Sequence, residues 1–160
     1  MKPAKEPVTQ AVRVLRAAGV AFAGHPYTYV EGGGTAQFAR ELGIDEHLVI
    51  KTLVMEDEQR QPMLVLMHGD RQVSTQALAR AIGAKRVTPC DPKIADRHSG
   101  YQVGGTSPFG TRRTLPVYGE QGIADLPRLY INGGKRGYII SLATADLLRV
   151  LQPTLVSMAV

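Results

Sequence analysis

At 160 residues, 44% hydrophobic and 21% charged, the chain can bury one core and suits a single domain without disulfide or metal staples. Its one cysteine, Cys90, excludes a disulfide framework and multi-cysteine metal centres and points to a reducing cytoplasm; no apolar run approaches the ~20 residues of a membrane helix. Nineteen basic against fourteen acidic residues leave a net charge of +5, concentrated between Arg97 and Arg136, which suits an anionic partner or simply a solvated face.

The polar start, residues 1–7, reads as a flexible tail and lacks the apolar stretch of a signal peptide. Thr9 is placed to cap a helix whose Val12, Leu15 and Ala18 share a face and which Gly19 ends. An extended segment over 20–29, broken at Pro26, leads to the flexible loop Gly32-Gly33-Gly34. Thr35 then caps a helix over 36–42, stopped by Gly43. Residues 49–55 are apolar and β-branched and read as a strand; residues 56–61 and Pro62 turn the chain, and 63–67 form the antiparallel partner. Ser74 or Thr75 caps a helix that reaches Ile82 and stops at Gly83. A short strand at 86–88 and a helix from Pro92 to about His98 follow. Strands are expected at 115–118, 129–131 and 138–141, the last two joined through a glycine-rich turn. Thr144 caps a final helix through Leu151, stopped by Pro153. Strands and helices that do not alternate strictly predict an α+β fold around a mixed sheet.

Residues 35–43 and 75–83 resemble each other, and each could open a DNA-binding helix-turn-helix. A recognition helix would have to follow each glycine. After Gly43 the chain turns to Val49-Ile50-Lys51-Thr52-Leu53-Val54, a strand pattern, and after Gly83 Pro89 forbids a long helix. Both segments are simpler as amphipathic helices covering the sheet, and no DNA partner is expected.

Three features carry chemistry. Lys51 shares a strand face with Val49, Leu53 and Met55. It is either an edge-strand lysine that blocks aggregation or a site cation able to hold a phosphate or an ester carbonyl. The run Gly100-Tyr101-Gln102-Val103-Gly104-Gly105-Thr106-Ser107-Pro108-Phe109-Gly110 carries four glycines. Its backbone N–H groups can approach an oxyanion or phosphate, or it is a tight structural loop. It matches neither a P-loop nor a dinucleotide fingerprint. The turn Asn132-Gly133-Gly134-Lys135-Arg136-Gly137 is a hairpin tip whose Lys135 and Arg136 could also meet phosphates. His25, His47, His68 and His98 lack metal-ligand spacing, and Cys90 between Pro89 and Asp91 reads as an inert thiol.

In this order and spacing, the Lys51-Thr52-Leu53 strand, the Gly-Tyr-x-Val-Gly-Gly-x-Ser-Pro-x-Gly loop and the Gly-Gly-Lys-Arg-Gly turn resemble the YbaK/EbsC family of aminoacyl-tRNA deacylases. That family is related to the editing domain of bacterial prolyl-tRNA synthetases. The resemblance spans about Thr9 to Leu151 and is strongest to the Cys-tRNA(Pro) and Cys-tRNA(Cys) deacylase branch. It implies one domain over residues 1–160, with a mostly antiparallel, barrel-like sheet covered by short helices. It implies a trans-acting enzyme that frees mischarged tRNA when the substrate's own thiol attacks its ester. The alternatives are the same fold acting by water on an Ala- or Ser-type aminoacyl-tRNA, or a non-catalytic tRNA- or synthetase-binding module.

By this resemblance Lys51 and Gly104 are the catalytic positions. Lys51 holds substrate near the ester and terminal adenosine; Gly104 with Gly105 offers N–H groups to the aminoacyl carbonyl. Tyr27, Thr52, Thr106, Ser107, Asn132, Gly133, Gly134 and Lys135 complete the expected substrate site. Asn132 stands where some relatives carry serine. The expected partners are the acceptor end of aminoacyl-tRNA and prolyl-tRNA synthetase, with no metal, cofactor or membrane.

Overall fold

The structure, a computed structural model, describes residues 7–160, so the expected tail lies outside the described residues except for Pro7. Thr9 accepts from the Val12 N–H at 3.1 Å and opens α1 (Gln10–Ala17), which buries Ala11, Val12 and Leu15. The chain continues through β1 (Phe22–Pro26) to α2 (Gly34–Leu42). The expected cap at Thr35 does not form. The glycines at 32–34 let the helix begin at Gly34 behind Gly33, and the Thr35 hydroxyl donates instead to Glu46 Oε2 at 2.7 Å, a charge-assisted bond.

A long hairpin follows, β2 (Val49–Asp57) against β3 (Pro62–His68), in register from Ile50↔His68 to Glu56↔Pro62. Ser74, by accepting from Ala77 N–H at 3.2 Å, caps α3 (Thr75–Ile82). Next come β4 (Val87–Pro89) and α4 (Pro92–Ser99), whose cap is Asp91 and whose first turn carries Pro92. The remaining elements are β5 (Val117–Glu120), β6 (Arg128–Lys135), β7 (Tyr138–Ala143), α5 (Thr144–Leu151) and β8 (Thr154–Val156). β5 starts later than expected because Pro116 has no N–H for a ladder, while Leu115 is buried beside Cys90 and Leu64. Thr144 is the first helical residue of α5 and its buried hydroxyl caps nothing. β8, unanticipated, forms after Pro153 by pairing in parallel with β5.

The strands form one eight-stranded sheet in the order β1-β7-β6-β2-β3-β5-β8, with β4 added to β2. The long pairings, β2·β3 and β6·β7, are antiparallel; the short β2·β6, β3·β5 and β5·β8 pairings are parallel. The expected barrel does not close: β1 and β8 end the sheet at opposite edges and do not pair. Alternation along β3 sends Leu66 toward the core of α1 and α5, and Val65 and Met67 toward α3. Each such fully buried leucine or valine contributes roughly 1.5–3 kcal/mol. Gly43 and Gly83 lead into a 3₁₀ turn and β4 respectively, so neither similar helix forms a helix-turn-helix. Among the described residues no helix is long and apolar enough to cross a membrane.

One irregularity sets up the site. β2 lies inside the sheet, so Lys51 is not an edge-strand lysine. On the side of β2 away from β3, β6 pairs only with Val49 and Ile50, and β4 begins only at Met55. Residues 51–54 face an opening between them.

Candidate functional site

A cavity of about 640 Å³ sits over this opening, with Lys51 and Thr52 of β2 in its wall. Tyr27 and Tyr29 enter from the segment after β1, Thr35 from α2, Gly104 and Thr106 from the glycine loop, Asn132 from β6 and Arg136 from the β6–β7 turn. Most of the remaining lining is apolar, including Cys90 and Ala95.

Lys51 is half-buried and forms no salt bridge among the described residues. Burial holds its ammonium below the usual lysine range, against the opposing pull of the Glu46 and Asp70 carboxylates. A partly desolvated cation without a close counter-ion favours an anionic or strongly polar ligand. Burial, reinforced by Glu56, pushes the Cys90 thiol up to about 11, so it is neutral near pH 7 and lacks nucleophile character.

The glycine loop is fastened from several directions. Tyr101 donates its hydroxyl to the Phe109 carbonyl at 2.5 Å, and Ser107 Oγ accepts from Phe109 N–H at 3.3 Å. Asp96 on α4 accepts from Val103 N–H at 3.1 Å, while Arg136 Nε donates to the Val103 carbonyl at 2.9 Å. Asn132 Nδ2 donates to the Gly104 carbonyl at 3.1 Å; its Oδ1 accepts from Gly134 N–H at 2.7 Å and Lys135 N–H at 3.3 Å. One carboxamide thereby joins the loop to the β6 bulge. Gly104 adopts φ +92°, and a Cβ there would lie 2.6 Å from the Tyr29 hydroxyl oxygen. Its N–H has no partner among the described residues. Gly105 is different: its N–H donates to the Gln102 carbonyl at 2.7 Å, so this donor belongs to the turn.

The expected residues divide into two groups. Lys51, Thr52, Tyr27, Gly104, Thr106 and Asn132 meet around the cavity. Gly105 and Ser107 stand behind the loop, and Gly133, Gly134 and Lys135 form the bulge rather than the cavity wall. The two bulge glycines have a packing reason: Thr9 donates its hydroxyl to the Gly133 carbonyl at 2.5 Å, and a Cβ on Gly134 would meet the Tyr101 ring at 2.9 Å. Tyr27 also serves the core, edge-on to Phe38 at 5.2 Å. Tyr29 was not anticipated. It follows Tyr27 at the two-residue spacing of an extended segment, contacts Gly104 closely, and carries the Arg136 guanidinium 5.0 Å above its ring. Among the described residues no group of three His, Cys, Asp or Glu side chains is placed to hold a metal.

The family model described as the aminoacyl-tRNA editing domain matches residues 31–150. The chain is 28% identical over 141 residues to EbsC of Enterococcus faecalis, covering 88% of this chain and 86% of EbsC, which is described as a candidate Cys-tRNA(Pro)/Cys-tRNA(Cys) deacylase. It is 21% identical over 104 residues to a proline–tRNA ligase of Limosilactobacillus fermentum, covering 62% of this chain but 18% of the ligase. In fold it matches the crystal structure of a candidate trans-editing enzyme for prolyl tRNA synthetase, with TM-score 0.82, 19% identity and coverage of 97% of this chain and 99% of that one.

Proposed function

The chain belongs to the aminoacyl-tRNA editing domain family, and on that premise we propose that it deacylates mischarged tRNA, with Cys-tRNA(Pro) as its principal substrate. The observation that carries this reading is the meeting of Lys51, a cation without a carboxylate partner, with the unpaired Gly104 N–H around one cavity. An aminoacyl ester is already activated, so orientation and stabilisation of the developing oxyanion suffice. Lys51 holds the 3′ end beside the ester, and Gly104 N–H donates to the ester carbonyl oxygen.

The cavity offers no activated nucleophile, since the Cys90 thiol stays protonated. In this reading the attacking group is the substrate's own thiolate, as the resemblance to the YbaK/EbsC family implies. The thiol gives its proton to solvent, its sulfur bonds to the carbonyl carbon, the carbon–oxygen ester bond breaks, and the tRNA 3′ oxygen takes a proton from water as a thiolactone forms. Cysteine and proline differ too little in size for one apolar pocket to separate them well, which makes a second check useful. The one-fifth coverage of a proline–tRNA ligase supports association with that synthetase.

Deacylation of a panel of charged tRNAs, with and without prolyl-tRNA synthetase, tests this. Cys-tRNA(Pro) is expected to be cleaved fastest, and Lys51→Ala to lower its kcat/KM about 10²–10³-fold in a folded protein. Near-normal turnover by folded Lys51→Ala would exclude the assigned role. Faster cleavage of Ser- or Ala-tRNA would replace cysteine as the substrate and the thiol as the nucleophile.

A further inference from the structure

The opening in β2 leaves three polar groups of one residue without a protein partner among the described residues. Neighbouring strand residues direct their N–H and C=O groups to opposite sides. The Val49 carbonyl accepts from Gly69 N–H at 2.6 Å on the β3 side, and the Val54 carbonyl accepts from Cys90 N–H at 3.0 Å on the other. Ile50, Thr52 and Val54 therefore turn their backbone groups away from β3. Ile50 is met by β6, and the Val54 carbonyl by Cys90. Thr52 falls between: no strand among the described residues pairs with it on that side. Its Oγ1 is also closed off from solvent and without a hydrogen-bond partner.

A backbone donor and acceptor that face a largely apolar cavity without a strand partner are free to pair with a ligand there. The natural complement to the N–H and C=O of one strand residue is the backbone of another amino acid. An aminoacyl ester supplies one such unit, with an amine donor and a carbonyl acceptor. The glycine loop, moreover, offers Gly104 N–H but not Gly105 N–H. A second donor to the ester carbonyl must come from elsewhere, and Thr52 lines the same cavity.

We propose that the aminoacyl group of the substrate completes the β2 ladder as a one-residue strand. Its α-amine donates to the Thr52 carbonyl, and its ester carbonyl accepts from Thr52 N–H as well as from Gly104 N–H. The proposal rests on the deacylase reading and adds to it that the enzyme reads the free α-amine of its substrate.

The test compares cysteinyl-tRNA with 3-mercaptopropionyl-tRNA, which keeps thiol and ester and lacks only the amine. Each enzymatic rate is divided by the uncatalysed cleavage rate of the same ester, because loss of the ammonium also lowers the ester's own reactivity. The normalised kcat/KM of the deamino ester is expected to be lowered about ten-fold or more, the effect of one missing hydrogen bond to a charged group. In parallel, the non-hydrolysable amide of cysteine with 3′-amino-3′-deoxyadenosine is added to ¹⁵N-labelled protein. The Thr52 amide proton is expected to shift and its exchange to slow at least ten-fold. Equal normalised cleavage of both esters, or analogue binding that perturbs the glycine loop and leaves Thr52 unchanged, would overturn the proposal while sparing the deacylase reading. Cleavage of neither ester, with no analogue binding, would overturn both.

Discussion

If Lys51 holds the substrate as proposed, its surroundings set the pH dependence of the reaction. Burial lowers the pKa of this ammonium; Glu46 and then Asp70 act in the opposite direction. For a lysine depressed in the folded state, the cost of burying charge is fully present at low pH. It fades as pH rises through the folded pKa toward the unfolded one. Activity that needs the cation has the matching sign: kcat/KM falls as pH rises through the depressed pKa. Glu46→Gln removes the larger supporting charge, while its amide oxygen can still accept from the Thr35 hydroxyl. The alkaline limb of the kcat/KM profile is therefore expected at lower pH in Glu46→Gln than in the parent protein. An unmoved limb would mean that the group titrating there is not Lys51.

The glycine loop and α4 work as one element. Asp96 projects from α4 to hold Val103 N–H, one residue before Gly104. Substitution Asp96→Ala leaves Ala95 and Ser99 buried on the helix but releases the loop. The expected result is a kcat for Cys-tRNA(Pro) about ten-fold lower, with KM within about two-fold and partial recovery in Asp96→Asn, whose amide oxygen still accepts. Equal losses in kcat and thermal stability would mark Asp96 as a helix support only. Sequence foresees this element well at the level of caps and stops. Thr9 and Ser74 cap their helices as expected, because an isolated hydroxyl before an apolar period has few competing partners, whereas the Asp91 cap of α4 was not foreseen. Thr35 and Thr144 carry the same signature yet do not cap, since Glu46 draws one hydroxyl away and the other is buried in the fold. Of the residues that line the cavity, Lys51, Thr52, Gly104 and Thr106 were legible through the strand and the glycine loop. What was not legible depends on register: the break between β6 and β4, the loss of the Gly105 donor to a turn, and Tyr29 under Arg136. Each arises from segments distant in sequence, where local pattern carries no information.

The excess positive charge also acquires a location. Lys93 and Arg97 lie exposed one helical turn apart on α4, where like charges repel unless an anion intervenes. Arg112 and Arg113 join them, their N–H groups bonded to the Ser99 carbonyl at 2.9 Å and the His98 carbonyl at 3.2 Å. Arg113 Nη1 lies 2.8 Å from His98 Nδ1, and burial together with Arg113 holds that imidazole below the usual histidine range, so it accepts as a neutral group and leaves the cation uncancelled. Asp91 and Asp96 are the acids of the same helix, and both face backbone N–H groups, of Lys93 and Val103. Pro92 and Ala95 turn one face of α4 to the cavity, and Lys93 and Arg97 lie on the outward face of the same helix, so the expected contact of this basic surface is with the acceptor stem and not with the 3′ end in the cavity. Phosphate pairing of this kind binds without reading sequence and weakens steeply with salt. Replacing all four cations with glutamine is expected to raise KM for charged tRNA about ten-fold. The slope of log KM against log salt should flatten by about one for each cation–phosphate pair removed. Cleavage of a cysteinyl ester of adenosine alone, which reaches Lys51 and Gly104 but not this surface, should keep its rate. If the substituted protein showed the parental salt slope on tRNA, these side chains would be an ordinary solvated face and the acceptor stem would have to approach over the β6–β7 turn instead.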